Sequence, residues 1–150
     1  MVNRGLIKHY QGARKQDRRT PRDFFEVQHA RFDFTLDGAA TKRNRLLERF
    51  SSTAWPATWR GERVFCNPPW SDIPPFIELA AEADLAVLLV PARVNAKWFH
   101  RALKLGAQPD YWQGKLSFGG PWNSPVDCLL LIFKAGNVEF SGEQEGEKRW

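Results

Sequence analysis

Asn67-Pro68-Pro69-Trp70 stands directly after the apolar run Val64-Phe65-Cys66 and just before Ser71-Asp72-Ile73. Two consecutive prolines fix φ and donate no backbone hydrogen bond, which leaves their carbonyls able to point at a ligand. The Asn67 amide adds a carbonyl acceptor and an NH2 group, and the Trp70 indole adds a flat face. This set suits methyl transfer to the exocyclic amine of a nucleobase. That amine is a poor nucleophile because its lone pair is delocalised into the ring. With the Asn67 oxygen and the Pro68 carbonyl each accepting one amino hydrogen, the nitrogen turns toward tetrahedral geometry and the lone pair is freed. The cationic state that follows is favoured by both oxygens and by the face of Trp70. The alternative is a rigid turn closing a strand, which accounts for the prolines but not for the Asn and the large aromatic beside them.

Holding these groups requires a strand before them and a helix after them, and the chain supplies both. Val64 to Cys66 reads as a strand, and Ser71 or Asp72 caps a helix over about residues 73–83, with Pro74 and Pro75 in its first turn. Leu85 to Val90 is a continuous apolar run, the pattern of a central parallel strand buried on both faces. Pro91-Ala92-Arg93 leads into a helix from about Asn95 to Leu105. Tyr111 to Gly120 carries a short strand and a glycine turn, and Cys128 to Phe133 is the last core strand.

Upstream, Thr20-Pro21 opens a helix, with Thr20 as N-cap, Pro21 at the first position, and Asp23 and Glu26 in the first turns. Phe32-Asp33-Phe34-Thr35-Leu36 alternates as a strand does and ends at Asp37-Gly38-Ala39-Ala40, where small residues let the backbone approach a ligand closely. Residues 41–50 read as a helix with Leu46, Leu47 and Phe50 inward, and residues 51–61 as a loop. Strands alternating with helices indicate an α/β sheet with helices on both faces. Such sheets bind ligands at the carboxyl ends of their strands.

The 150 residues, 43% of them hydrophobic, fit one compact domain over residues 20–136. A basic arm, residues 1–19, precedes it and a polar tail, residues 137–150, follows. The formal charge of +5 is consistent with a polyanionic partner. Arg14, Lys15, Arg18 and Arg19 in the arm read either as a solvated tail or as phosphate contacts. Cys66 and Cys128 lie inside apolar runs without metal-ligand spacing, as buried thiols of a reducing compartment do. No Cys/His cluster points to a metal, no apolar stretch reaches a membrane span, and no signal peptide opens the chain, so the expectation is a soluble cytoplasmic protein.

Individual residues keep two readings. Asp37 either bonds a ligand at a strand end or caps a helix over residues 41–50, and Asn44 either supports the same pocket or is an exposed helical residue. Arg93 fits both a phosphate contact and a surface ion pair, and Lys115 both a phosphate contact and a solvated loop. Asp72 reads as a cap, and His100 as a helical histidine. Trp55, Trp59 and Trp122 stack nucleotides or plug the core.

Read in order, several separate segments match one pattern: Thr20-Pro21; Leu36-Asp37-Gly38-Ala39-Ala40 with Asn44; Val64 to Ile73; Val90-Pro91-Ala92-Arg93; Trp98-Phe99-His100; and Gly114-Lys115-Leu116-Ser117-Phe118. Across residues 17–134 the chain resembles the phage-type DNA N-6-adenine methyltransferases, the Dam-like family. The resemblance implies a Rossmann-like methyltransferase fold, reduced in size, with S-adenosylmethionine as donor and no metal. It implies adenine in double-stranded DNA as acceptor, with the target base flipped out of the stack. Asn67, Pro68, Pro69 and Trp70 would be catalytic. Thr20, Pro21, Asp37, Gly38, Ala39, Ala40, Asn44 and Asn67 would hold the donor. A phage-type enzyme acts in the cytoplasm of a bacterial host. The family carries Tyr where this chain has Trp70, and of a glycine-rich donor loop only Gly38 is present. Methylation of cytosine N-4, of RNA adenine or of a protein glutamine, and an inactive nucleic-acid-binding module, therefore stay open.

Overall fold

The computed structural model describes residues 19–52, 58–118 and 126–136. In chain order they form α1 (Arg22–Phe32), β1 (Leu36–Asp37), β2 (Arg63–Cys66), α2 (Pro74–Glu82), β3 (Leu85–Pro91), α3 (Lys97–Lys104), β4 (Gln108–Asp110) and β5 (Cys128–Lys134). The strands make one mixed sheet in the order β1-β2-β3-β5-β4. β1, β2 and β3 are mutually parallel, while β5 runs antiparallel to both β3 and β4. β4 therefore points the same way as β3. The architecture is mixed α/β.

β3 is the centre of the sheet, as its unbroken apolar run predicts: every residue from Leu85 to Pro91 is buried. It runs parallel to β2 on one side and antiparallel to β5 on the other. Facing β5 contributes Leu129, Leu130 and Leu131 at 0% exposure, each stabilising by roughly 1.5–3 kcal/mol relative to an exposed side chain. Phe25 of α1 packs edge-on against Phe65 of β2 at 5.2 Å, which ties the first helix to the strand that leads into Asn67.

Several local expectations are corrected. α1 runs through Phe32, and only Leu36–Asp37 is strand; the helix stops because Asp33 takes a left-handed φ of 52°. The Arg63 side chain then donates to the Phe32 and Asp33 carbonyls, and His29 Nδ1 accepts from the Phe34 N–H. Thr20 is not the cap: Pro21 occupies the N-cap position, without a side-chain cap bond, and the helix begins at Arg22. Nor does Ser71 or Asp72 cap α2, whose N-cap residue is Ile73. α3 begins at Lys97, later than expected. The strand expected after Tyr111 lies just before it, as β4; within Tyr111–Phe118 there is one isolated bridge, Leu116 to Val126.

The largest correction concerns residues 41–50, which form turns and bends rather than a helix. Asn44 Oδ1 accepts from the Thr41 N–H and hydroxyl, closing a tight turn. Beyond it the backbone joins the sheet edge: the Asp37 N–H donates to the Arg49 carbonyl and the Ser51 N–H to the Asp37 carbonyl. A two-residue β1 leaves its outer groups without a ladder unless this segment supplies one, and a helix there could not. Phe50, expected inward, is 37% exposed.

Candidate active site

Because β1, β2, β3 and β4 share a direction, their carboxyl ends lie on one edge of the sheet, where α/β folds place ligands. Four segments leave from that edge: Gly38–Asn44 after β1, Asn67–Trp70 after β2, Ala92–Ala96 after β3 and Tyr111–Phe118 after β4. All four hold candidate residues from the sequence: Asp37 to Asn44 about β1, Asn67–Trp70 after β2, Arg93 after β3 and Lys115 after β4.

Asn67 Nδ2 donates to Thr20 Oγ1 at 3.2 Å, a contact across 47 residues that joins the start of α1 to the end of β2. Since the bond uses the amide nitrogen, the carbonyl oxygen of Asn67 is turned away from Thr20. The two prolines are not equivalent. The Pro69 carbonyl accepts from the Asp72 N–H at 2.9 Å, whereas the Pro68 carbonyl accepts no hydrogen bond among the described residues. Pro68 is buried and Asn67 half-buried.

Trp70 is 9% exposed. Its Nε1–H donates to the Leu89 carbonyl at 3.4 Å, which anchors the indole over β3. Phe118 meets it at 5.4 Å between centroids and 86° between planes, an edge-to-face pair. The sequence reading missed Phe118 as a partner of the motif. Its only signal was position, at the end of the Gly114-Lys115-Leu116-Ser117-Phe118 block.

Asp37 is 3% exposed. Its Oδ2 accepts from the Leu46 N–H at 3.0 Å and its Oδ1 from the Ala39 N–H at 3.4 Å. Burial raises its pKa above the usual carboxylate value, and these two N–H groups oppose the rise. Asp37 thus does the work of a cap with no helix to cap. Burial, then the nearby Asp37 charge, pushes the Cys66 thiol far up, so it is an inert core group.

Gly38 was read as room for a ligand. The structure gives a different reason: a Cβ there would sit 2.5 Å from Trp59 Cζ2 and 2.7 Å from Val64 Cγ1. Trp59 itself is completely buried and packs near Phe76 at 6.2 Å, so it plugs the core; Trp55 and Trp122 lie outside the described residues. Ala40 is buried and its N–H donates to the Ser51 carbonyl. Asn44 spends its carbonyl on its own turn.

A family model described as DNA N-6-adenine-methyltransferase (Dam) matches residues 9–133. The chain belongs to the Dam family. No curated protein and no solved structure matches it. In this Dam-family chain the cationic residues are distributed unevenly around the edge. Arg93 is exposed on the turn after β3, where its N–H donates to the Pro91 carbonyl. Lys115 lies 3.9 Å from Asp127, both side chains more than half exposed, and Arg19 is exposed at the start of the described chain. Arg14, Lys15 and Arg18 lie outside the described residues. His100 is exposed on α3, with Nε2 2.8 Å from the Val94 carbonyl.

Proposed function

We propose that this chain methylates the exocyclic amino nitrogen of adenine in DNA, at Asn67–Trp70, on a reduced Rossmann-like methyltransferase sheet. The family match supports DNA adenine as the acceptor class. The observation that carries the site assignment is the state of the Pro68 carbonyl. It has no partner among the described residues, one residue from an Asn67 amide fixed through its nitrogen by Thr20. Two acceptor oxygens beside each other are what an amino group with two hydrogens requires.

In the proposed reaction DNA is held by Arg93, Lys115 and Arg19 and by the arm residues Arg14, Lys15 and Arg18, and the target base leaves the stack. It stacks on Trp70, taking the place of Phe118, which meets the indole at 5.4 Å. Asn67 and Pro68 accept the amino hydrogens and free the nitrogen lone pair for attack. Pro69 sets the direction of the Pro68 carbonyl through its fixed φ. The protonated product amine is acidic enough to lose its proton to water, so no protein base is needed.

S-adenosylmethionine, when bound, supplies the methyl group on a sulfonium. Thr20 and Asp37 would hold it: the Thr20 hydroxyl stands 3.2 Å from the Asn67 amide nitrogen, and each Asp37 oxygen accepts one N–H and keeps a second lone pair. Pro21, Ala39 and Ala40 would line the same place. Gly38 and Asn44 would act on it indirectly, by shaping the turn.

The test is to map modified bases in DNA from cells expressing the chain and, separately, its Asn67→Ala variant. N-6-methyladenine present with the first and absent with the second is the expected result. Methyl groups on cytosine N-4 instead would redirect the assignment. Equal adenine methylation by both proteins would remove Asn67 from the chemistry.

A further inference from the structure

A groove of about 470 Å3 opens between α1 and the chain leaving β4, and Phe24, Gln28, Arg31, Asp110, Tyr111 and Trp112 are among the residues that line it. Small-molecule sites fall in the range of about 300–1,000 Å3. Its walls are aromatic: the Phe24 and Trp112 rings lie 5.2 Å apart, tilted by 53°, and Tyr111 is 66% exposed.

Its floor is polar. Arg31 Nη1 donates both to Gln28 Oε1 at 2.8 Å and to Asp110 Oδ2 at 2.9 Å. A guanidinium has no acceptor, so Gln28 must present its oxygen to Arg31 and turn its NH2 the other way. Gln28 is only 6% exposed, and that NH2 makes no hydrogen bond among the described residues. Gln28 lines the groove and its NH2 keeps contact with solvent, so a ligand acceptor there would take the place of a water. Beside it Asp110 retains an acceptor oxygen, while Arg31 neutralises its charge.

A planar ring carrying an acceptor next to a donor, stacked on one aromatic side chain, satisfies this arrangement. We infer that the groove is a second base-binding site, which takes an unstacked nucleobase of the bound DNA strand other than the target base. This rests on DNA as the partner but not on the chemistry assigned to Asn67.

The test measures affinity for a short single-stranded oligodeoxynucleotide and for its abasic counterpart, by fluorescence anisotropy. Tyr111→Ala, at an exposed position that leaves the core intact, should weaken binding of the base-containing strand by about 5- to 150-fold, the range for a lost base stack. Gln28→Leu, with its melting temperature checked, should weaken it in the same direction. Neither should change abasic binding, and Asn67→Ala should retain the preference for bases. Unchanged affinity in Tyr111→Ala overturns the groove, as does an equal loss on the abasic strand. A preference that disappears in Asn67→Ala places the base at the active site instead and overturns it too. If wild type binds neither strand, the groove takes no unstacked base and the inference is overturned.

Discussion

At the scale of single residues, the site joins groups with different tasks. In the proposed reaction Asn67 and Pro68 face the amine, whereas Gly38 and Asn44, which the sequence marks as ligand contacts, serve the turn that holds Asp37. Gly38→Ala should lose about 1–3 kcal/mol of stability, because Trp59 and Val64 leave no room for a methyl group. Chemical denaturation measures this, and an unchanged midpoint would show that Trp59 moves freely. Asp37 gives a pH prediction. Its folded-state pKa lies above the unfolded value because burial dominates. The favourable linkage of such a group is full below the unfolded pKa and is lost as pH rises through the folded one. Measured against Asp37→Asn, wild type should therefore gain relative stability as pH falls from about 7 to about 4. Melting curves of both proteins across that range test the sign.

At the scale of elements, the 111–118 segment controls the aromatic site, because Phe118 covers Trp70. Since the base displaces Phe118 in the proposed reaction, Phe118→Ala should raise kcat/KM for DNA while the protein stays folded, read from initial rates and a melting curve. A rate equal to wild type would mean that Phe118 is only packing. α1 is the other positioning element: Phe25, 1% exposed, locks it to β2 and so keeps Thr20 beside Asn67. Phe25→Ala should destabilise by about 3–5 kcal/mol, measured by denaturant unfolding. The strands β2, β3 and β5 were legible because their apolar runs are local and unbroken. Residues 41–50 were not, since Leu46, Leu47 and Phe50 match helical spacing while the decisive bonds come from Asp37 and the sheet edge. The turn closed by Asn44 and the left-handed Asp33 likewise depend on partners that pattern alone does not specify.

At the scale of the molecule, the charge of +5 and the single edge from which the loops leave define how a polyanion would approach. DNA affinity should fall steeply with salt, linearly in logarithmic coordinates. Arg93→Ala, at a proposed phosphate contact, should reduce the slope by about 1 and weaken binding to all sequences alike. Binding titrations at several salt concentrations decide this, and an unchanged slope would return Arg93 to a surface role.

By itself the sequence determined the α/β class, the buried central strand and the Asn67–Trp70 motif at a strand's carboxyl end. Each of these depends on residues that are near neighbours in the chain. Only the tertiary structure decided that Thr20 holds Asn67, that Phe118 covers Trp70, that Gly38 yields to Trp59 and that residues 41–50 pair with an edge instead of coiling. These are contacts between segments far apart in sequence, and their energies come from packing and hydrogen bonds that exist only once the sheet has formed.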